Sequence, residues 1–248
     1  MTLSPLTKQT TALLLDIEGT TTPIDFVYET LFPYARTNVR AYLANHLSSE
    51  ELRSDIASLL EENAEDLKRG LDPPLIERSD EYISIDRIAA YVIWLMDRDR
   101  KTTALKTIQG KIWDEGYRKG ELHSQVFEDV PGAFVRWRQR GKAICIYSSG
   151  SVLAQKLLFA NTEAGDLTSH ISAFFDTSVG PKREIESYRR IGSELKLPTR
   201  EIVFVSDVTA ELDAAAEAGL ETLLCVRPGN HSQPAGTHAT IQSFDEIP

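Results

Sequence analysis

The stretch from Thr11 to Pro23, TALLLDIEGTTTP, constrains the fold more than any other part of the chain. Ala12, Leu13, Leu14 and Leu15 form an apolar run without polar alternation, the pattern of a strand covered on both faces in a parallel sheet. The run stops at Asp16, and Glu18 follows two residues later. Carboxylates do not belong at the end of a buried strand for packing reasons, because unpaired buried charge is costly. The carboxyl ends of parallel strands are, however, where open α/β sheets bind ligands. Gly19 permits a sharp turn out of the strand, and Pro23 favours an extended exit over an immediate helix. One reading is a carboxylate pair for a hard cation such as Mg²⁺, with Asp16 a nucleophile and Glu18 a proton carrier. The other is a helix-capping Asp16 and a solvated Glu18.

After Pro23 the strand pattern ceases, and four helices are predicted, over 26–46, 48–69, 85–98 and 104–120. Pro33 should break or restart the first. Ser48 and Glu51 have capping-box spacing at the start of the second, whose apolar stripe is Leu52, Ile56, Leu59, Leu60, Ala64 and Leu67. Residues 23–127 read as an all-helical insert, and Glu128–Gly132 as the return to the main domain. From there strand and helix alternate: strands over 143–147, 173–176, 202–206 and 222–226, and helices over 133–140, 152–160, 184–195 and 210–219. That alternation predicts an α/β fold, a Rossmann-like parallel sheet formed by 1–22 and 128–248. The segment after Asn230 carries little pattern.

The strand ends bring further polar groups: Ser148 and Ser149 after the second strand, and Ser206 and Asp207 after the fourth, with Glu211 one helical turn beyond. Gly180-Pro181-Lys182 lies between them. Acidic groups, hydroxyls and one lysine on one sheet edge suit phosphoryl transfer, in which cations neutralise the transferring oxygens and a carboxylate attacks in line. Each has a plainer explanation: Ser148, Ser149 and Asp207 as helix caps, Lys182 as a surface lysine, and Glu211 as either a support for Lys182 or a solvated side chain. Their ordered occurrence at successive strand ends favours the functional reading.

In order, Asp16-Ile-Glu-Gly-Thr, Ser148, Lys182 and Asp207 resemble the four motifs of the haloacid-dehalogenase-like phosphohydrolases, over essentially the whole chain. The longer strings DIEGTTTPIDFV, YSSGSV, VRPGN, WDEGYRKGEL and VFEDVP are similar to the enolase-phosphatases of methionine salvage, whose pattern includes Glu at position 18. The resemblance implies a Mg²⁺ cofactor, an inserted helical cap and an aspartyl-phosphate on Asp16. It implies Glu18 as acid and base, and Ser148, Ser149 and Lys182 as the phosphate-binding groups. The metal would be held by Asp16, Asp207 and Glu18 through its backbone carbonyl. The substrate implied is 2,3-diketo-5-methylthiopentyl-1-phosphate, enolised and then dephosphorylated to an acireductone. The base for enolisation is not visible, and Glu18 could serve twice. Phe26, Tyr28, Phe32, Trp113 and Tyr117 are candidates to line the thioether side, or simply to pack. A general sugar-phosphate phosphatase, a halide-releasing dehalogenase and a non-catalytic Mg²⁺- and phosphate-binding receiver are the rivals.

Composition narrows the partners. Among 248 residues, 27 Lys and Arg against 37 Asp and Glu give a net charge of −10, which disfavours nucleic-acid binding. Met1–Thr10 lacks the apolar core of a leader, and no run spans a bilayer. Cys145 and Cys225 sit in apolar runs without metal spacing, as expected of a reduced cytoplasmic protein. A monomer acting on a small phosphorylated molecule is the expectation.

Overall fold

A computed structural model describes residues 9–76 and 84–248; most of the Met1–Thr10 segment lies outside them. It places six parallel strands in one sheet: β1 (Ala12–Leu15), β2 (Ala143–Tyr147), β3 (Ala173–Phe175), β4 (Ile202–Ser206), β5 (Glu221–Cys225) and β6 (Ala239–Ile241). Their order is β3-β2-β1-β4-β5-β6. β1 therefore sits between β2 and β4, with Leu15 abreast of both Ile146 and Val205. Each residue of β1 is fully buried. Burial of a leucine side chain stabilises by about 1.5–3 kcal/mol, and this explains why the run tolerates no alternation. β6 was not foreseen: it is three residues long and two of them are exposed.

The helices of this sheet unit are α5 (Asp129–Gln139), α6 (Val152–Ala160), α7 (Ile185–Leu195) and α8 (Thr209–Glu217), numbered after four helices, α1–α4, of the insert. α5 starts earlier than expected, because Pro131 and Gly132 fall in its first turn. Proline costs no hydrogen bond there, since the first amides of a helix have no intrahelical partner. Trp137 of α5 is fully buried, its ring tilted against that of Phe244 with centroids 5.2 Å apart, and its indole N–H donates to the Ile247 carbonyl at 3.3 Å. Tyr147, Tyr188 and Phe204 meet under the other side of the sheet unit, with ring centroids 5.2–6.5 Å apart. Cys145 and Cys225 are free and buried, and burial pushes both thiols up to about 12.

The chain divides into two compact units, Met1–Tyr28 with His123–Pro248, and Glu29–Leu122. The second is helical: α1 (Phe32–His46), α2 (Glu50–Lys68), α3 (Ile85–Asp97) and α4 (Thr103–Arg118). Pro33 marks the expected restart of the helix. A π-helical turn, Phe26–Leu31, runs directly into α1, and Pro33 occupies α1's first turn. The cap of α2 is Ser49, not Ser48: its Oγ accepts from the Leu52 amide at 3.1 Å. The C-terminal part of α2 also departs from the expected stripe. Leu67 is 40% exposed, while Asp66 is fully buried. Asp66 is tolerated inside because Tyr91 Oη donates to it at 2.8 Å and Arg100 Nη2 lies 3.1 Å away. Trp113 and Tyr117 are buried within this unit, where Trp113 Nε1 donates to the Leu31 carbonyl at 2.8 Å. No helix among the described residues is long and apolar enough to cross a membrane.

Candidate active site

Continuing the register of β1 by one residue puts Asp16 level with Tyr147 and Ser206, and the Asp16 amide donates to the Val205 carbonyl at 3.0 Å. Asp16 is 2% exposed. Its Oδ1 accepts from the Ile17 amide at 2.7 Å and lies 2.6 Å from Lys182 Nζ. Its Oδ2 lies 3.1 Å from Ser206 Oγ. The same ammonium is 2.6 Å from Glu211 Oε2, which also sits 3.1 Å from Ser206 Oγ. One cation thus joins two carboxylates, and one hydroxyl bridges them. Glu211, for which the sequence allowed either support of Lys182 or solvation, takes the supporting place.

Lys182 is held by its own backbone. Gly180 has φ +137°, and a Cβ there would come within 2.2 Å of Ser187 Oγ. Tyr147 Oη donates to the Gly180 carbonyl at 2.8 Å, Ser187 Oγ to that of Pro181 at 2.7 Å, and Tyr188 Oη to that of Lys182 at 2.6 Å. The ammonium lies 5.9 Å from the centroids of Tyr147 and Phe204. Burial opposes its charge, but Asp16 and Glu211 outweigh that and raise its pKa.

Asp207 follows β4 and does not cap the next helix, whose N-terminal flanking residue is Val208. Burial, and then repulsion from Asp16, pushes its carboxyl up to about 7. Glu211 is raised for the same two reasons in the same order. Three carboxylates, those of Asp16, Asp207 and Glu211, therefore face one lysine. Ser148 closes β2, is 1% exposed, and accepts from the Gly150 amide at 3.1 Å through its Oγ. It does not cap α6; Ser151 does, accepting from the Ala154 amide at 3.3 Å. Ser149 is half-buried beside it. Gln155 Nε2 donates to the carbonyls of Gly150 and Phe175, both at 2.8 Å, so α6 ties down the Ser148–Gly150 turn. Glu18 is half-buried on the loop after Asp16, where it forms a backbone bridge with Thr22.

Among the described residues, no three His, Cys, Asp or Glu side chains are grouped to hold a metal. Motif reading gave no role to Tyr147, Tyr188, Gln155, Arg227 or Asn230, although Tyr147 stands in YSSGSV and Arg227 and Asn230 in VRPGN. Their partners lie both near in sequence, as Gly150 for Gln155 and Lys182 for Tyr188, and far, as Thr20 for Arg227.

Residues 10–219 match the sequence model of the haloacid dehalogenase-like hydrolases. The chain belongs to that family. Among individual relatives of this haloacid dehalogenase-like hydrolase, Enolase-phosphatase E1 of Synechococcus elongatus is 49% identical over 245 residues, 98% of this chain and all of the relative. Enolase-phosphatase E1 of Sorangium cellulosum is 43% identical over 95% of this chain and 96% of its own length. That of Drosophila sechellia is 44% identical, with 95% and 90% covered. Among solved structures, the UTR4 protein of Saccharomyces cerevisiae superposes with a TM-score of 0.74 at 33% identity, covering 95% of this chain and 99% of that one.

Proposed function

We propose that this haloacid dehalogenase-like hydrolase is an enolase-phosphatase that acts on 2,3-diketo-5-methylthiopentyl-1-phosphate and requires Mg²⁺. The observation that carries the chemistry is Lys182 Nζ lying 2.6 Å from Asp16 Oδ1 at the end of the central strand. A carboxylate so placed is held ionised and in one orientation, as a nucleophile toward phosphorus must be. The near full-length identity to enolase-phosphatases supports the choice of substrate.

The donor set fits a magnesium ion. Three carboxylates, buried Asp16 and Asp207 and half-buried Glu211, against one lysine leave an excess of negative charge, and Asp207 does not hold its charge comfortably without help. Mg²⁺ takes oxygen ligands, commonly one or two carboxylates with the rest supplied by water and substrate. Asp16, Asp207 and the Glu18 carbonyl would hold it. When bound, it supplies positive charge to the phosphoryl oxygens and to a developing enolate.

In the first half-reaction a base takes a proton from the carbon bearing the phosphate ester, the C–H electron pair forms a double bond to the neighbouring carbonyl carbon, and the carbonyl oxygen takes up a proton to become the enol hydroxyl. In the second, an Asp16 oxygen bonds to phosphorus as the bond from phosphorus to the ester oxygen on the first carbon breaks. Glu18 gives that oxygen a proton, releasing the acireductone. Water then attacks the aspartyl-phosphate while Glu18 takes its proton, which frees phosphate and restores Asp16. Ser148, Ser149 and Lys182 hold the phosphoryl group, with the amides at the start of α6 as further donors.

The test is an ultraviolet time course of the diketo-phosphate with enzyme and Mg²⁺, with phosphate release followed in parallel. Enol absorbance rising ahead of phosphate is expected. Phosphate without any enol species would make the protein a general phosphatase of this family.

A further inference from the structure

The loop that carries Glu18 is held from behind by a segment that no catalytic role uses. Arg227 is 6% exposed, and its Nε and Nη2 both donate to the Thr20 carbonyl at 3.3 Å. Its Nη1 donates to Asp129 Oδ2 at 2.8 Å and to the Gln242 carbonyl at 3.1 Å. The guanidinium lies between two rings, 4.4 Å from the centroid of Phe127 and 4.9 Å from that of Phe244. Three residues on, Asn230 Nδ2 donates to the Gly19 carbonyl at 2.9 Å and to that of Cys225 at 3.3 Å. The Phe127 amide donates to the Thr21 carbonyl at 3.0 Å. Three consecutive carbonyls, those of Gly19, Thr20 and Thr21, are therefore each fastened to a later part of the chain.

The arrangement is more exacting than packing requires. Burying a guanidinium costs several kcal/mol unless its donors are used, and here two of its bonds converge on one carbonyl. The planar fork is what a single carbonyl between an ion pair and two aromatic faces demands; an ammonium cannot reproduce it. The carboxylate of Asp129 is fixed in turn. Burial opposes its ionisation, but bonds from Arg227, the Phe244 amide and Ser243 outweigh that and hold its carboxyl below the usual range.

We propose that Arg227 and Asn230 are positioning residues for the phosphoryl-transfer step, fixing the Gly19–Thr21 backbone and through it the carboxyl of Glu18 against the leaving oxygen. The inference rests on the role given to Glu18 above. A displaced acid is costly: errors of about 1 Å in a catalytic group lower rates by about a hundredfold. The phosphate-binding side chains Ser148, Ser149 and Lys182 lie on other loops, so their contacts to substrate do not run through this clamp.

The experiment compares wild type, Arg227→Lys, Arg227→Met and Asn230→Ala for kcat and KM of phosphate release from the diketo-phosphate, with thermal midpoints in the same buffer. Expected is a fall in kcat of about tenfold or more in every variant with KM within about threefold of wild type. Arg227→Lys retains a cation for Asp129 and should keep its midpoint close to wild type, so its lost kcat cannot be unfolding. Asn230→Ala is the independent arm should the Arg227 variants not fold. The inference is overturned if kcat in Asn230→Ala and in any folded Arg227 variant stays within about twofold of wild type. It is equally overturned if each loss only mirrors the folded fraction or a matching rise in KM. A wild-type enzyme that releases no phosphate from this substrate would instead remove the functional reading, and this inference with it.

Discussion

Gly19 and Asp207 approach so closely that a Cβ on Gly19 would lie 2.5 Å from Asp207 Oδ2 and 2.9 Å from Asn230 Oδ1. Gly19 also has φ +68°. Gly19→Ala should therefore lose about 1–2 kcal/mol to backbone strain, and displace Asp207 as well. The expected outcome is a folded protein with a modestly lowered urea midpoint and a Mg²⁺ requirement raised about tenfold or more. A magnesium titration of activity beside urea unfolding measures both, and an unchanged titration would refute the approach.

Asp207 should make the metal-free protein less stable as pH rises. Its folded carboxyl is raised to about 7, so between about pH 4 and 7 the folded state holds a proton that the unfolded chain has released. Stability from this group is present below its ordinary value and lost as pH rises through about 7, by at most about 4 kcal/mol. Thermal midpoints from pH 4 to 8 in chelator should fall less steeply for Asp207→Asn than for wild type. At pH 8 the variant should be the more stable protein, although inactive. Parallel curves would show that Asp207 is not strained.

Lys182→Met should leave Asp16 and Glu211 without their cation and cost about 3–5 kcal/mol in chelator. The lysine's folded pKa is raised, so its contribution is intact below its unfolded value of about 10 and is lost only as pH rises through the folded value. Lys182→Met/Glu211→Gln should recover part of the loss at pH 7. Urea unfolding of both variants distinguishes this from a surface lysine, whose removal would change little.

Asp16→Asn should release phosphate more than about 10⁴-fold more slowly than wild type, on the scale of losing a covalent nucleophile. Formation of the enol should persist, since that step does not use the carboxylate of Asp16 as a nucleophile. Loss of both half-reactions together would place Asp16 in the enolisation as well.

In the helical unit, Gly116→Ala would drive a methyl group to within 2.7 Å of the Tyr34 ring, whose hydroxyl donates to Glu121 at 2.6 Å. Overpacking of this kind costs about 1–3 kcal/mol. A lowered thermal midpoint that Gly116→Ala/Tyr34→Leu restores is the expected result.

The sheet was legible where burial is two-sided: Ala12–Leu15, Ala143–Tyr147 and Ile202–Ser206 are unbroken apolar runs that end in polar residues. β6 was not, because one buried residue in three is no pattern. The start of α5 was hidden by Pro131 and Gly132, which read as breakers but are harmless in a first turn. At the site, Asp16, Ser148, Lys182 and Asp207 could be found because each follows a strand or opens a turn in a recognisable order. Arg227 stood in the legible string VRPGN, but its task was not legible: its partners Thr20, Asp129 and Gln242 come from three other segments, and only the folded chain assembles them.

The central position of β1 has a consequence for biosynthesis. Its partners are Ala143–Ile146 and Ile202–Val205, so both neighbours leave the ribosome long after the strand itself. The intervening helices pack mostly on one another and can form while Leu13, Leu14 and Leu15 still lack a ladder. Until β2 and β4 arrive, the strand that bears Asp16 is an exposed apolar segment with open edges, the kind that aggregates or engages chaperones. Translation interrupted after Leu122 and before Ala143 would thus release chains with a finished helical unit and a β1 that lacks both of its neighbours.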